Sequence, residues 1–341
     1  MPLGLVIRKL GYGMLVLWGV LSVVFLLFNV LPGDPARMLL GQRDDAEMLK
    51  QVRAKYGFDQ PLGMQYINYL NDLSPVSVHS TEASDYSHWN ERYEGAKLFE
   101  TKSFVLALKK PFLRFSFQNQ GLGVSTVLAQ ALPNTLILAL SAMTLAMFFG
   151  LLLGMVSAWA PNGWLDRCIA LFSSAGMALP SFFSAIIIAW LFGFVWAELT
   201  GLSMTGSLYA IDDYGSGEYI QWKNLILPAV TLGIRPIAVI AQLTRNSILE
   251  VWGMDYIRTA RAKGLNKRQV MLKHALPNAL NPVITAASGW LASMMAGAVF
   301  VEYIFGWNGL GKQVVDALNT MDLPVVMGAV LTIAVIFVLI N

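Results

Sequence analysis

The hydrophobic residues of this chain are concentrated in runs long enough to cross a lipid bilayer as helices. A hydrocarbon core about 30 Å thick needs roughly 20 consecutive apolar residues in helical conformation. The pattern therefore predicts an all-α, polytopic membrane protein with six transmembrane helices. Their predicted positions are 10–31, 135–158, 169–199, 225–243, 282–304 and 324 onward.

Three of these runs raise alternatives. The first competes with a signal peptide, but it exceeds the usual ~7 to 15 apolar residues and no small-residue cleavage site follows it, so we expect it to be retained. In the third run Pro180 should kink the helix or separate a surface helix from one span. The last run stops at Asn341 without a polar flank, so we expect the natural chain to continue.

The composition contains few charged residues and no pattern typical of a catalytic or metal site. Residues are 56% hydrophobic and 13% charged, against roughly 25% charged in soluble domains, and a formal charge of +3 gives no reason to expect nucleic acid. The lone Cys168 excludes an internal disulfide. His79, His88 and His274 lack a metal-ligand spacing and are interpreted as surface histidines. We predict no catalytic residue, no metal site and no cofactor in this chain.

Charges in the loops predict an orientation. The loop between the fourth and fifth runs is strongly basic, whereas segment 210–221 carries acidic residues without lysine or arginine. Basic loops remain cytoplasmic, and Arg8, Lys9 and Arg167 agree with this assignment. Both ends of the chain are then cytoplasmic, and residues 32–133 form a small extracytoplasmic lobe or lid. The predicted division is 1–31, N-terminus and first helix; 32–133, lobe; and 134–341, transmembrane core with a coupling loop at 249–278.

The basic loop has the local chemistry of a helix-turn-helix. Residues 255–263 are good helix formers, and Gly264 is placed to end that helix in a left-handed conformation. Ala260 lies four residues before Gly264, which predicts one small-residue face that another surface approaches closely. Such an element is typical of a docking surface for a soluble partner. The alternative is a basic loop that is helical and binds nothing.

A second helix should follow the turn at once. Asn266 is suited to the N-cap position, with Gln269 three residues later as in a capping box. Leu265 and Val270 have the spacing of a hydrophobic staple. We expect Pro277 to end this second helix.

The same loop resembles the EAA loop of ATP-binding-cassette importers. Residues 258–264 read RTARAKG, and after nine residues the chain continues with HALP at 274–277. Ala260, Gly264 and the Leu-Pro pair match the family pattern in register. Arg258 stands for its glutamate, Thr259 for its first alanine and His274 for its isoleucine.

Further stretches are similar to the dipeptide/oligopeptide/nickel permease family in the expected order. The resemblance covers roughly residues 1–72 and 115–341, and it departs at 75–110, which is longer than is common in that family. The matching stretches are 31–35 (LPGDP), 56–61 (YGFDQP), 131–135 (ALPNT), 243–245 (LTR) and 307–311 (WNGLG).

The resemblance implies a permease subunit of the bacterial inner membrane that forms half of a translocation path for di- or oligopeptides. It also implies a second homologous permease, two ATPase subunits that bind ATP and Mg²⁺, and an extracytoplasmic substrate-binding protein. This chain would not itself be an enzyme. The residues implied in ATPase coupling are Asp255, Tyr256, Arg258, Thr259, Ala260, Arg261, Ala262, Lys263, Gly264 and Pro277.

Other functions remain open at this point. One alternative is the same importer machinery with nickel, glutathione, an opine or an antimicrobial peptide as its cargo. A stand-alone secondary transporter should show inverted repeats and buried acids, and an intramembrane enzyme needs paired catalytic groups in its spans. Neither pattern is visible in the sequence.

Three features inside or beside the spans carry separate hypotheses. Arg235, in the fourth span, either lines the translocation path or pairs structurally, with Glu302 as a distant candidate partner. Gly150 and Gly154 form a GxxxG pattern that favours close helix packing. Segment 306–312 matches most of a phosphate-binding loop, but Gln313 stands where serine or threonine is required. We interpret it as a tight turn.

Overall fold

The computed structural model describes residues 3–30, 36, 46–83, 85–119, 121–211 and 217–340. Within these ranges the chain is mostly helical, as the sequence predicts. Four described helices are long and apolar enough to cross a membrane, and the number rises to six if each of two bent pairs is one span. An exact count of six stays a prediction. Asp212, Asp213 and Asn341 lie outside the described residues.

The helices are numbered along the chain. They are α1 Leu3–Val30, α2 Ala46–Tyr56, α3 Leu62–Leu73, α4 Val124–Trp159, α5 Trp164–Ala178, α6 Ser181–Trp190, α7 Ala197–Thr200, α8 Lys223–Trp252, α9 Asp255–Ala262, α10 Lys267–Val270, α11 Leu276–Phe305, α12 Leu310–Asn319 and α13 Leu323–Ile340. Two π-helical turns lie at Leu191–Val195 and Met271–Ala275. The strands are β1 Val76–Ser80, β2 Gly95–Glu100, β3 Phe104–Lys109, β4 Tyr209–Ile211 and β5 Glu218–Ile220.

Two compact units account for these elements. One comprises residues 1–130 with 316–334, and the other 131–315 with 335–341. The second unit has a core of closely packed small and aliphatic side chains, in which Leu138, Ala142, Ile240 and Val301 are completely buried. Residues with short side chains let the helix backbones approach, which is how helices associate in a membrane.

Pro180 divides the third predicted run. Leu179 has extended backbone angles (φ −75°, ψ 128°), because the ring of a following proline disfavours the helical region. Helix α5 and the segment Ser181–Val195 meet at 106°. The prediction of a break at this proline is confirmed.

Gly150 and Gly154 lie where α4 packs against α8. A Cβ atom on Gly150 would come within 2.6 Å of the Ile240 side chain, and one on Gly154 within 2.5 Å of Thr244. No larger residue fits without moving a helix. The packing interpretation of this GxxxG pattern is confirmed.

The first unit contains a part that we call the sheet lobe: α2, α3, strands β1–β3 and the loops as far as Gly121. Its antiparallel sheet has the order β1-β3-β2, with β3 in the centre. Val76 pairs with Leu108 and His79 with Val105 across β1 and β3. An extracytoplasmic location for this lobe stays a prediction.

His79 corrects the interpretation of all three histidines as surface residues. It is 1% exposed and lies against Trp89 and Tyr93, with ring centroids 4.9 and 4.4 Å away. Its ring nitrogens contact Ser77 Oγ at 2.8 Å and the Ser87 carbonyl at 3.0 Å. Burial lowers the pKa of this imidazole.

Candidate functional site

The predicted coupling loop joins the end of α8 to α11 through α9 and α10. Ile257 and Ala260 point from α9 into a cluster with Ala158, Ile248 and Met271, all at most 5% exposed. Apolar burial on one side therefore seats this eight-residue helix on the ends of α4 and α8. Its other side is left in solvent.

The turn between the two short helices has the predicted geometry. Gly264 adopts φ +83°, and its N–H donates to the Arg261 carbonyl at 2.9 Å. This left-handed position is accessible to glycine without steric cost. The predicted helix end is confirmed.

The second helix begins with a complete capping box. The Gln269 N–H donates to Asn266 Oδ1 at 2.8 Å, and the Asn266 N–H donates to Gln269 Oε1 at 3.1 Å. Leu265 and Val270 lie in the same apolar cluster, as a hydrophobic staple requires. These two predictions are also confirmed.

The predicted face shared by Ala260 and Gly264 is wrong. Ala260 is 5% exposed and packs inside the chain, whereas Gly264 is exposed and nothing lies within 4 Å of the place a Cβ would occupy. The reason is that α9 ends at Ala262, so the two residues are not on successive turns of one helix.

Pro277 does not end the second helix, which corrects another prediction. Helical structure continues from α10 through the π-helical turn Met271–Ala275 into α11, where Pro277 lies in the first turn. A proline lacks an N–H and its ring crowds the carbonyl four residues earlier. That carbonyl belongs to Lys273, which lies inside the π-helical turn and not in an α-helical one. The coupling loop is thus continuous with a candidate span.

Most of the residues implied in coupling form the solvent side of the loop. Ala260 is buried, and the others are exposed: Asp255, Tyr256, Arg258, Thr259, Arg261, Ala262, Lys263, Gly264 and Pro277. Arg258 and Asp255 approach to 3.6 Å, but both side chains are more than three-quarters exposed, so this ion pair contributes little to stability. The exposed face is polar and predominantly basic.

Two tryptophans support this basic face, and the sequence analysis missed both. The Arg261 guanidinium lies 4.7 Å from the centre of the Trp252 ring, and Lys267 Nζ lies 4.7 Å from that of Trp159. Lys267 also donates to the Trp159 carbonyl at 2.6 Å. Cations over aromatic faces are held by the ring quadrupole. Trp159 and Lys267 are 108 residues apart, so no local pattern connects them.

A bidentate ion pair joins α5 to α8 in the same unit. Arg245 donates from Nε and from a terminal nitrogen to the two Asp166 oxygens, both at 2.7 Å. The Ser157 hydroxyl and the Asn162 N–H donate to the same carboxylate. Arg245 stood in a stretch that resembles the permease family, whereas nothing in the sequence distinguished Asp166.

Segment 306–312 wraps a carboxylate of its own chain. Glu302 is fully buried and accepts hydrogen bonds from Thr135 Oγ1 at 2.7 Å, from the Gly311 N–H at 2.7 Å and from the Lys312 N–H at 3.2 Å. A Cβ on Gly309 would come within 2.4 Å of Glu302 Oε1, so glycine is required there. The interpretation as a tight turn is confirmed by the left-handed Gly306, at φ +67°.

Glu302 is therefore not the partner of Arg235, and that hypothesis is wrong. The bonds to Thr135 and to the 306–312 turn occupy its carboxylate. Arg235 is exposed, and no hydrogen bond connects it to Glu302 within the described residues. Among those residues there is also no group of three or more His, Cys, Asp or Glu able to hold a metal ion.

Two models of known protein families match this chain. The family model described as "Binding-protein-dependent transport system inner membrane component" matches residues 150–341, which is more than half of the chain. The chain belongs to this family. A model for the N-terminal part of such membrane components matches residues 2–85. The resemblance to an importer permease is confirmed, and the family is one of transport permeases, not of enzymes.

Curated relatives extend the similarity of this permease along the whole chain. A dipeptide transport system permease protein of Alkalihalophilus pseudofirmus is 32% identical, covering 96% of this chain and 91% of that protein. A di/tripeptide transport system permease protein of Pseudomonas aeruginosa is 33% identical, with coverage of 99% and 94%. A glutathione transport system permease protein of Pectobacterium atrosepticum is 32% identical, with coverage of 94% and 89%.

Proposed function

We propose that this permease forms half of the translocation path of an ATP-driven importer for di- or oligopeptides. Two relatives with nearly full coverage are permeases of dipeptide and di/tripeptide systems, and this supports peptide as cargo. Glutathione is the alternative that another relative supports. Nickel, opines and antimicrobial peptides are further alternative cargoes within the wider family. Cargo choice in that family rests largely on the binding protein.

The observation that carries the coupling role is the construction of α9. Ile257 and Ala260 hold the helix on the core, and the opposite face presents Tyr256, Arg258 and Thr259 to solvent. A force on that face would pass through the apolar cluster, which also contains Val270, Met271 and Ala275, to the continuous helix formed by α10, the π-helical turn and α11. Closure of a docked ATPase would then rock the spans and switch access between the two sides of the membrane.

The remaining assembly follows from the family. We propose two ATPase subunits, which bind ATP and Mg²⁺, a second homologous permease and an extracytoplasmic substrate-binding protein. This chain has six spans in the bacterial inner membrane, both ends on the cytoplasmic side, and the sheet lobe outside. The domain division of 1–31, 32–133 and 134–341, with its coupling loop at 249–278, is part of this proposal.

Arg235 is the candidate translocation-path residue. It lies on α8, which is apolar enough to span a membrane, and its side chain is exposed. A charged group facing lipid is expensive, so we place this face of α8 toward a watery path or the second permease. Arg235→Leu should reduce peptide uptake without lowering membrane abundance. Arg245→Leu is the matched variant on the same helix, and it should lower abundance because it breaks the pair with Asp166.

The proposed function is tested by purifying the tagged chain from its native membrane in mild detergent and identifying the copurifying proteins by mass spectrometry. Recovery of an ATPase and a second permease supports the proposal, and uptake of labelled dipeptide into vesicles containing that complex tests the cargo. A chain that purifies alone, under conditions that keep other membrane complexes intact, would support a secondary transporter instead.

The coupling face is tested in the same preparation. Tyr256→Ala should lower recovery of the ATPase about tenfold or more if this exposed tyrosine is an interface anchor. Tyr219→Ala in β5 is the matched control, because Tyr256 and Tyr219 are 44% and 45% exposed. Equal ATPase recovery from both variants would remove α9 from the docking surface.

A further inference from the structure

The sheet lobe contains a cavity of about 740 Å³. Ligand pockets for small molecules commonly measure about 300–1,000 Å³ and are lined mainly by apolar and aromatic groups. This cavity has the same character, since six aromatic side chains lie in its wall. They are Tyr56, Phe58, Tyr86, Phe112, Phe115 and Phe117.

Two arginines line the cavity, and only some of their N–H groups donate hydrogen bonds within the protein. Arg114 donates from Nε to Asp72 at 2.9 Å, and Arg92 donates from one terminal nitrogen to the Tyr86 carbonyl. A guanidinium carries five N–H groups. Among the described residues the other donors of these arginines have no acceptor, and Arg92 Nε is buried without a partner. The buried Arg92 Nε does not face the cavity, so a carboxylate there would accept hydrogen bonds from the terminal N–H groups of Arg92 and Arg114.

The charge around these arginines is predominantly positive. Lys109 is buried and donates to the Asp72 carbonyl, and Arg114 is ion-paired with the buried Asp72 carboxylate. Burial raises the pKa of Tyr86 and of Tyr93, and both hydroxyls stay protonated donors to that carboxylate.

The acid in the cavity wall, Asp85, does not reverse this balance. Asp85 is exposed, and its Oδ1 accepts from the N–H and hydroxyl of Ser87 at 2.7 and 2.9 Å. The charged residues in the cavity wall are therefore two half-buried arginines and one exposed aspartate, a net positive charge that favours an anion.

We propose that this cavity binds the carboxylate end of a short peptide with an apolar or aromatic side chain. Bidentate acceptance by a carboxylate matches the planar fork of an arginine, and the aromatic wall would cover the side chain. The proposal rests on the proposed peptide cargo. It assigns a binding site to the permease itself, and both arginines lie between the ranges matched by the two family models, which end at residue 85 and begin at residue 150.

Calorimetry on the purified full-length chain in lipid nanodiscs tests the site. The probes are the dipeptide Leu-Phe and its C-terminal amide, which differ only in the carboxylate. The wild type should bind the free acid at least tenfold more tightly than the amide. Arg92→Gln should remove most of that difference, whereas the matched control Lys102→Gln, an exposed charge elsewhere in the lobe, should leave it unchanged.

A photoreactive Leu-Phe analogue provides a second measurement that needs no variant. Labelling should map to peptides covering residues 83–92 or 112–121, and excess Leu-Phe should compete with it. Labelling elsewhere, equal affinity for acid and amide, undetectable binding, or an Arg92→Gln variant that folds and binds as the wild type would each overturn the proposal.

Uptake by the reconstituted importer separates this proposal from the function on which it rests. Peptide uptake with no binding in the cavity overturns the cavity site and leaves the cargo proposal intact. Binding of Leu-Phe in the cavity without ATP-driven peptide uptake overturns peptide as cargo and keeps the carboxylate site.

Discussion

The turn of the coupling loop (residues 264–269) and the sheet lobe are stabilised by contacts of different range. In the loop, Asn266 and Gln269 bond across three residues, and the bend is made by one glycine. In the lobe, Asp72 is bonded by Tyr86, Tyr93 and Arg114, which lie 14, 21 and 42 residues away. The turn can therefore be altered one local interaction at a time, whereas the lobe depends on one shared carboxylate.

Removing that carboxylate is the largest perturbation we expect. Asp72→Ala removes the acceptor of Tyr86, Tyr93 and the half-buried Arg114, and removing one partner of a buried pair costs about 3–5 kcal/mol. The free energy of unfolding of the lobe, followed by protease resistance in detergent, should fall by about that amount. Glu94→Gln is the control, because the Glu94–Lys110 pair is more than two-thirds exposed on both sides. Equal resistance in both variants would show that the Asp72 cluster is not what holds the lobe.

The glycine at the loop bend should give a smaller effect. Gly264→Ala places a Cβ at φ +83°, at a cost of about 1–2 kcal/mol, although no atom obstructs it. Gly253→Ala is the matched variant, since Gly253 is right-handed, at φ −80°. Thermal unfolding of the full chain should separate the two, and identical melting temperatures would contradict the strain argument.

Loss of the N-cap should be smaller again. Asn266→Ala removes the acceptor for the Gln269 N–H, and such a change costs about 1 kcal/mol. Hydrogen exchange at the amides of 267–270 should accelerate, while exchange in the sheet lobe stays unchanged. Asn266→Asp should restore slow exchange, because aspartate caps as well as asparagine.

A mild pH dependence distinguishes the lobe from the loop. Burial lowers the pKa of His79 in the folded lobe, with opposing contributions from Ser87 and Asp72 and further lowering by Lys109 and Arg92. The unfolded chain then binds more protons than the folded one as pH falls below the ordinary histidine value of about 6.5. The free energy of unfolding of the lobe, followed by protease resistance, should therefore decrease as the pH falls below that value. His79→Gln should make this decrease smaller.

The features that the sequence predicted correctly depend on residues that are close together in the chain. Runs of apolar residues, the break at Pro180, the capping box and the Gly264 bend were all predicted, because each depends on residues within a few positions of one another. The shared face of Ala260 and Gly264 was predicted wrongly, since four-residue spacing places side chains together only while the helix continues.

Local sequence patterns did not predict the partners of the charged side chains that the structure pairs. Glu302 bonds to Thr135, which is 167 residues away, and Arg245 to Asp166, which is 79 residues away. Sequence reasoning offered Arg235 as a partner for Glu302 because both were isolated charges near spans. In the structure the neighbouring 306–312 turn satisfies that carboxylate with backbone N–H groups, which no side-chain pattern displays.

The sequence by itself determined that this chain is a helical membrane permease with a capped, basic loop between two candidate spans, because hydrophobic length, capping and glycine conformation act over short distances. Tertiary structure decided which charges are neutralised, which helix face is free, and that aromatic residues of the sheet lobe enclose a cavity beside two arginines. Those outcomes depend on chain segments that meet only after folding, when burying a charge is costly unless it is paired.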